Sequence, residues 1–184
     1  MAILAMMFAQ AALFGVEPIA DPMAGVTLDW SLCTHPDDDA KTCLLMATFT
    51  KVREGHYTEL DRMSIAGLPG LVIEYDSTAY LKQGKLCSVA RRSDFNGARI
   101  VHHVEGSARQ YEAAAVKQIR FMYPIEGKEV CSEFFPDGVH LQLKVWVNGS
   151  AQADLTIPAR WVGKDDGYQV TGWQGAITTM PVRR

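Results

Sequence analysis

The sequence lacks the motifs that mark the common catalytic and metal-binding sites. It contains no CxxC pair, no Gly-rich phosphate loop, no GxSxG nucleophile elbow and no HExxH helix. No His stands at ligand spacing from any Cys, so a zinc site is disfavoured. The sequence therefore predicts no cofactor and no metal, and its motifs give no direct sign of an enzyme.

The sequence also lacks an excess of positive charge. It has 18 Lys and Arg against 21 Asp and Glu, for a net charge of −3, and the basic residues are scattered. The field that attracts a protein to nucleic acid is therefore missing, and no nucleic-acid partner is expected. After the N-terminus no stretch approaches the roughly 20 apolar residues that span a bilayer, so we expect no membrane span in the mature chain.

The N-terminus carries an apolar run over residues 2–14 that Gln10 alone interrupts. Ala9-Gln10-Ala11 has the small-x-small spacing that a signal peptidase accepts, which predicts a signal peptide over residues 1–15. No Lys or Arg precedes Lys41, and the alternative is therefore a buried N-terminal helix or strand. Residues 16–25 then read as an irregular leader, and 26–184 as a single disulfide-stapled β-rich domain.

Four cysteines are an even number, as expected for a protein exported to an oxidising compartment. Their spacing favours the pairs Cys33–Cys43 and Cys87–Cys131. A periplasmic or extracellular location follows if the signal is removed. The alternative is a set of free, buried thiols in a cytosolic protein.

The segment Asp29-Trp30-Ser31-Leu32-Cys33, together with Cys43, resembles the opening of a family of small exported β proteins associated with bacterial invasion. The resemblance covers this segment alone. Cys87 and Cys131 lie far apart in the sequence, where the later cysteines of that family cluster, so no fold or function is carried over.

The rest of the chain favours antiparallel β structure. Four dipeptides, Asn96-Gly97, Asp137-Gly138, Asn148-Gly149 and Asp166-Gly167, tolerate the positive φ angles that hairpin turns require. They separate apolar or alternating segments that we predict as strands: 26–33, 41–52, 57–65, 71–75, 86–93, 98–105, 130–135, 139–147, 151–157 and 168–173. The predicted fold is mainly β, an antiparallel sandwich or partly closed barrel.

One packed α-helix is predicted near residues 108–122. Ser107 and Gln110 form a capping box, an apolar stripe follows at helical spacing, and Pro124 stops it. A strand over residues 119–123 is the competing interpretation.

Strand pairing then suggests a site. A two-residue turn at Asn96-Gly97 would place Arg91 opposite His102 on the core face, and Glu133 shares a face with Cys131. If the strands run the same way from a Cys87–Cys131 disulfide, Arg91, His102 and Glu133 meet in one interior cluster. The alternatives are a closed Arg91–Glu133 salt bridge with His102 beside it, or a bulge that turns one of them outward.

Two functions fit these expectations. The first is an exported ligand-binding or protein-interaction module, in which Arg91 binds a small anionic ligand or the surface binds a protein partner. The second is a small-molecule hydrolase or isomerase in which His102 or Glu133 handles protons.

Overall fold

The computed structural model describes residues 16–65, 71–102 and 126–170. Within these ranges the chain forms eleven strands and one 3₁₀ helix, Arg92–Gly97: β1 (Trp30–Thr34), β2 (Thr42–Cys43), β3 (Leu45–Arg53), β4 (His56–Ser64), β5 (Val72–Lys82), β6 (Lys85–Val89), β7 (Arg99–His102), β8 (Glu129–Asp137), β9 (His140–Val147), β10 (Ser150–Gly163) and β11 (Gln169–Val170). The mainly β prediction is confirmed. The predicted signal peptide at 1–15 and helix near 108–122 lie outside the described residues.

Eight strands form a closed ring in the order β4-β3-β1-β10-β9-β8-β6-β5, and β5 also pairs with β4. Every neighbouring pair in the ring is antiparallel. Strand β7 pairs with the first residues of β5, while β2 and β11 form a separate parallel pair. Because the ring closes, each of the eight strands has one face towards a shared interior.

Two tight turns show why the sequence forms these hairpins. Asn148 and Gly149 have φ angles of 48° and 78°, and Gln83 and Gly84 have 52° and 74°. A two-residue turn of this kind needs positive φ at both positions. A Cβ at Gly84 would also lie 3.2 Å from the carbonyl oxygen of Ala20, so glycine lets the segment before β1 pack closely.

The capping segment, residues 16–29, closes one end of the ring. The Ile19 amide donates to the carbonyl of Phe134 at 2.8 Å, and the Met23 side chain is buried. Met23 belongs to the main core cluster, whose other buried members come from the ring strands: Leu32, Ala47, Phe49, Ala79, Leu86, Phe134, Leu141, Leu143 and Ala159.

A second apolar cluster contains Phe95 of the 3₁₀ helix. The rings of Phe95 and Tyr75 pack with their centroids 4.5 Å apart. Ile65, Leu71 and Ile73 complete the buried part of this cluster. Phe95 thus anchors the 3₁₀ helix against the first half of β5.

The two disulfides have the predicted connectivity. Cys33–Cys43 joins β1 to β2, and Cys87–Cys131 joins residues that oppose each other directly in β6 and β8. The first closes a short loop, whereas the second crosses from one ring strand to its neighbour.

The predicted hairpin at Asn96-Gly97 is wrong. Strand β6 pairs with β5 and β8, and β7 pairs with β5, so the two arms of that hairpin are not partners. Asn96 and Gly97 instead end the 3₁₀ helix. Burial of Phe95 against β5 explains the difference, because tertiary packing overrides the local turn preference.

The turns at Asn148-Gly149 and Asp137-Gly138 set the register of two hairpins. The turn after Asn148 contains two residues and pairs Val147 with Ser150; a bulge between Ala151 and Thr156 then restores the pairing of apolar residues. At the β8–β9 turn Asp137 opposes His140.

Candidate functional site

The structure does not bring Arg91 and Glu133 together. Strands β6 and β8 are antiparallel, with Cys87 opposite Cys131 and Leu86 opposite Ser132, so Glu133 lies beside Lys85. Arg91 lies six residues further along from Lys85, which is about 20 Å at the rise of a strand. The parallel arrangement from which the cluster was predicted is therefore wrong.

Each of these residues has its own surroundings. Arg91 is exposed, and its Nη1 lies 3.5 Å from the hydroxyl oxygen of Thr78. Glu133 lies on the outer face of the ring, 3.4 Å from Lys85 Nζ, and accepts a hydrogen bond from the Trp146 indole at 3.3 Å. His102 ends β7 opposite Val72, and its side chain lies outside the described residues. A binding role for any of the three stays a prediction.

The inner faces of the ring strands instead line a cavity of about 200 Å³, the lumen cavity. All eight ring strands contribute residues to its wall. Its apolar residues are Leu32, Leu45, Ala47, Phe49, Ala79, Leu86, Val130, Phe134, Leu143 and Ile157, and its polar ones are Thr34, Glu59, Asp61, Tyr75, Ser88 and Ser132. A largely apolar wall with a few convergent polar groups is typical of a small-molecule site.

Glu59 and Asp61 form a carboxyl pair on the inner face of β4. They are two residues apart and therefore share one face of the strand. On β5, Ser77 opposes Glu59 and Tyr75 opposes Asp61. The Ser77 hydroxyl lies 2.9 Å from Oε2 of Glu59 and 3.2 Å from Oδ2 of Asp61, and Tyr75 also bonds to Asp61.

This geometry favours retention of a proton by the carboxyl pair. The Ser77 hydroxyl has one hydrogen and can donate to only one carboxyl at a time, while the Glu59–Asp61 hydrogen bond itself needs a carboxyl proton. Burial raises the pKa of Glu59, and burial together with the charge of Glu59 raises the pKa of Asp61 well above its ordinary value. The hydrogen bonds from Ser77 and Tyr75 oppose this rise without cancelling it.

Aromatic rings form another part of the wall. Phe49 and Phe134 line the lumen cavity, and both pack against Trp161, with centroid distances of 5.9 Å and 6.4 Å. Packing against Trp161 holds the two rings in place. The cavity thus combines rigid aromatic surface with two carboxyl groups.

Among the described residues that line the lumen cavity there is no Lys, Arg or His. Asp61 is only 5% exposed, so neither a basic side chain of the described wall nor bulk water compensates a charge there. In the same described part of the chain, no group of three or more His, Cys, Asp or Glu is arranged to hold a metal ion.

A larger cleft of about 520 Å³, the mouth cleft, lies between the capping segment and the ends of β3, β4 and β5. Met23, Val26 and Leu28 of the capping segment line one side. Phe49 lines both this cleft and the lumen cavity. Its side chain therefore stands where the two spaces adjoin.

Asp38 organises a separate polar cluster at the Cys33–Cys43 loop. His140 Nε2 lies 3.1 Å and Arg160 Nη1 lies 3.2 Å from its carboxylate, and the Tyr168 hydroxyl donates to it. The bond from Tyr168 is the main cause that lowers the pKa of Asp38. These contacts tie the disulfide loop to β9 and β10, and we assign the cluster a structural role.

Sequence reasoning missed the carboxyl pair. Along β4 the inward residues Tyr57, Glu59 and Asp61 alternate with Thr58, Leu60 and Arg62, and neither set is clearly apolar. Alternation alone could not show which set faces inward. The pairing of β4 with β5 and the closure of the ring decide it.

Comparison with protein-family models, curated proteins and solved structures found no match to this chain. Over residues 16–65, 71–102 and 126–170, the chain forms no helix with the length and apolar character needed to cross a membrane.

Proposed function

We propose that this chain is an exported domain that binds a small, largely apolar molecule inside the strand ring. The lumen cavity carries the proposal. An eight-stranded closed sheet has an interior that side chains just fill or that holds one small ligand. Here about 200 Å³ remains open, with polar groups converging on it.

The volume sets the size of the ligand. An apolar cavity of about 150 Å³ in another protein accepts benzene, so this one suits a molecule of about six to eight non-hydrogen atoms. The mouth cleft supports a path into the ring, because Phe49 is the one described residue common to both linings.

The two disulfides support export to the periplasm or the extracellular space. Disulfides persist in oxidising compartments and are rare in reducing ones. Both bonds are buried, and Cys87–Cys131 ties together two strands of the ring that forms the binding cavity. The Cys87–Cys131 disulfide and the proposed ligand site therefore belong to the same sheet.

One observation favours a second candidate, a small-molecule hydrolase or isomerase. A carboxyl group whose pKa is raised by burial can hold a proton near neutral pH and transfer it. In this candidate Glu59 and Asp61 take the role that we first expected of His102 and Glu133. This candidate would be favoured if the wild type converts a small molecule to product and Asp61→Asn still binds that molecule but no longer converts it.

Filling the cavity tests ligand binding. Ala47 lines the lumen and is 1% exposed, whereas Ala153 is exposed on β10. Benzyl alcohol at about a hundred times its Kd should raise the Tm of the wild type and of Ala153→Leu by about 5 to 10 °C. Ala47→Leu should abolish this shift. An equal shift in all three proteins would place any binding outside the lumen and contradict the proposal.

A further inference from the structure

We propose that the ligand of the lumen cavity is a small organic cation, an ammonium group attached to an apolar body, which displaces a proton from the Glu59–Asp61 pair. This inference rests on the proposed function, since it requires that the lumen be a binding site. It adds the chemical class of the ligand and the response of binding to pH.

Charge is the first argument. Two carboxyl groups point into the cavity, and no basic side chain of the described lining faces them. A buried carboxylate without a cation is costly, so the empty site keeps its proton. A ligand that brings a positive charge to this position allows the pair to ionise and forms a charge-assisted hydrogen bond.

The aromatic wall is an independent second argument. Phe49, Phe134 and Tyr75 line the same space as the carboxyl pair. Aromatic faces attract ammonium groups, and more strongly where water is excluded. A neutral or anionic ligand would gain nothing from this attraction, and an anion would be repelled by the carboxyl groups. The small anionic ligand that Arg91 suggested therefore does not suit this cavity.

The groups that face the pair determine its pH response. Tyr75 and Ser77 face it from β5, and Tyr57 lies next along the inner face of β4. The described lining from β1, β3, β6, β8, β9 and β10 contributes no ionisable side chain except Cys87, which is held in a disulfide. The proton lost when the cation binds therefore comes from the Glu59–Asp61 pair.

The test compares two probes of nearly equal shape, benzylammonium and benzyl alcohol. Calorimetry should give a Kd for benzylammonium that falls as pH rises from about 5 to 8, because the pair loses its proton more easily at higher pH. In buffers of different ionisation enthalpy, the heat should reveal release of a proton. The Kd for benzyl alcohol should not follow pH in this way.

Asp61→Asn supplies the matched variant. It keeps the side-chain shape but cannot ionise, so the affinity for benzylammonium should fall by about tenfold or more while benzyl alcohol still binds. Retained binding of the alcohol shows that fold and cavity are intact. Asp76→Asn, which makes the same change at an exposed position of β5, should leave both affinities unchanged.

The outcomes separate the two proposals. If benzyl alcohol binds but benzylammonium binds no better, or if Asp61→Asn has no effect on the cation, the ligand class is wrong and the lumen site stands. If neither compound binds to the wild type, both the ligand class and the lumen site are wrong.

Discussion

Asp61 and Glu74 are buried carboxylic acids on neighbouring rungs of the β4–β5 ladder, yet their surroundings are opposite. Glu74 lies on the outer face, where Arg62 Nε lies 2.6 Å and Arg99 Nε 2.7 Å from its oxygens. Asp61 lies on the inner face, where it meets Glu59, Ser77 and Tyr75 and no cation of the described lining.

The pKa values follow this difference. Burial alone would raise the pKa of Glu74, but hydrogen bonds from Arg62 and Arg99 outweigh burial and lower it. Burial raises the pKa of Asp61, and the neighbouring Glu59 raises it further. A carboxylate that is paired serves stability, whereas one left without a cation suggests a functional role.

The largest expected effect comes from Glu74. Glu74→Gln removes the charge that holds Arg62 and Arg99, and we expect a loss of about 2 kcal/mol at pH 7. Urea unfolding followed by fluorescence would measure it. The effect should shrink at low pH: Glu74 has a lowered folded pKa, so its contribution exists above the unfolded pKa and is lost as pH falls through the folded pKa. No change at pH 7 would show that the ion pairs are not stabilising.

Asp61 should behave in the opposite way. Asp61→Asn removes a buried group that resists ionisation, so we expect the variant to be more stable than the wild type by about 1 kcal/mol at pH 8. Since the folded pKa of Asp61 is raised, the carboxyl stabilises the fold below its unfolded pKa, near 4, and this contribution is lost as pH rises through the folded pKa.

The difference in the free energy of unfolding between Asp61→Asn and the wild type should therefore grow from pH 4 to pH 8. Urea unfolding at several pH values, with Asp76→Asn as the exposed control, would show it. A variant that is less stable than the wild type at pH 8 would mean that Asp61 is a structural residue like Glu74.

The smallest effect on stability is expected when one of the two arginines that contact Glu74, Arg62 or Arg99, is removed. The Arg99 side chain is 70% exposed and that of Arg62 48%, and either one can still hold Glu74 when the other is removed. Arg99→Ala should cost about 0.5 to 1 kcal/mol, and less at high salt. The double variant with Arg62→Ala should cost more than the sum of the single ones, because Glu74 is then buried without a partner. Additive costs would show that neither arginine compensates for loss of the other at Glu74.

Local features of the sequence predicted much of the fold. Each predicted strand overlaps an observed one, and both cysteine pairs are as expected. Turn chemistry was informative at Asn148-Gly149, where both φ angles are positive. It failed at Asn96-Gly97, where the neighbouring Phe95 is instead buried against Tyr75 in the 3₁₀ helix.

The site could not be derived in the same way. Arg91 and Glu133 were placed together by assuming that strands run the same way from Cys87–Cys131, but direct pairing across a disulfide is equally compatible with antiparallel strands. The spacing of cysteines in the sequence does not show whether the two strands that they join run parallel or antiparallel. The predicted face was a separate error, because Arg91 is exposed and Glu133 lies between Ser132 and Phe134, the two β8 residues beside it that line the lumen cavity.

The sequence by itself determined the strands, the disulfide pairs and the tolerance of particular turns for positive φ, because these depend on residues close in the chain or on a simple count. Only the tertiary structure decided that Glu59 and Asp61 face inward. In β4 neither alternate set is clearly apolar, so the choice of face came from the register with β5 and from closure of the ring, which depend on contacts between distant parts of the chain.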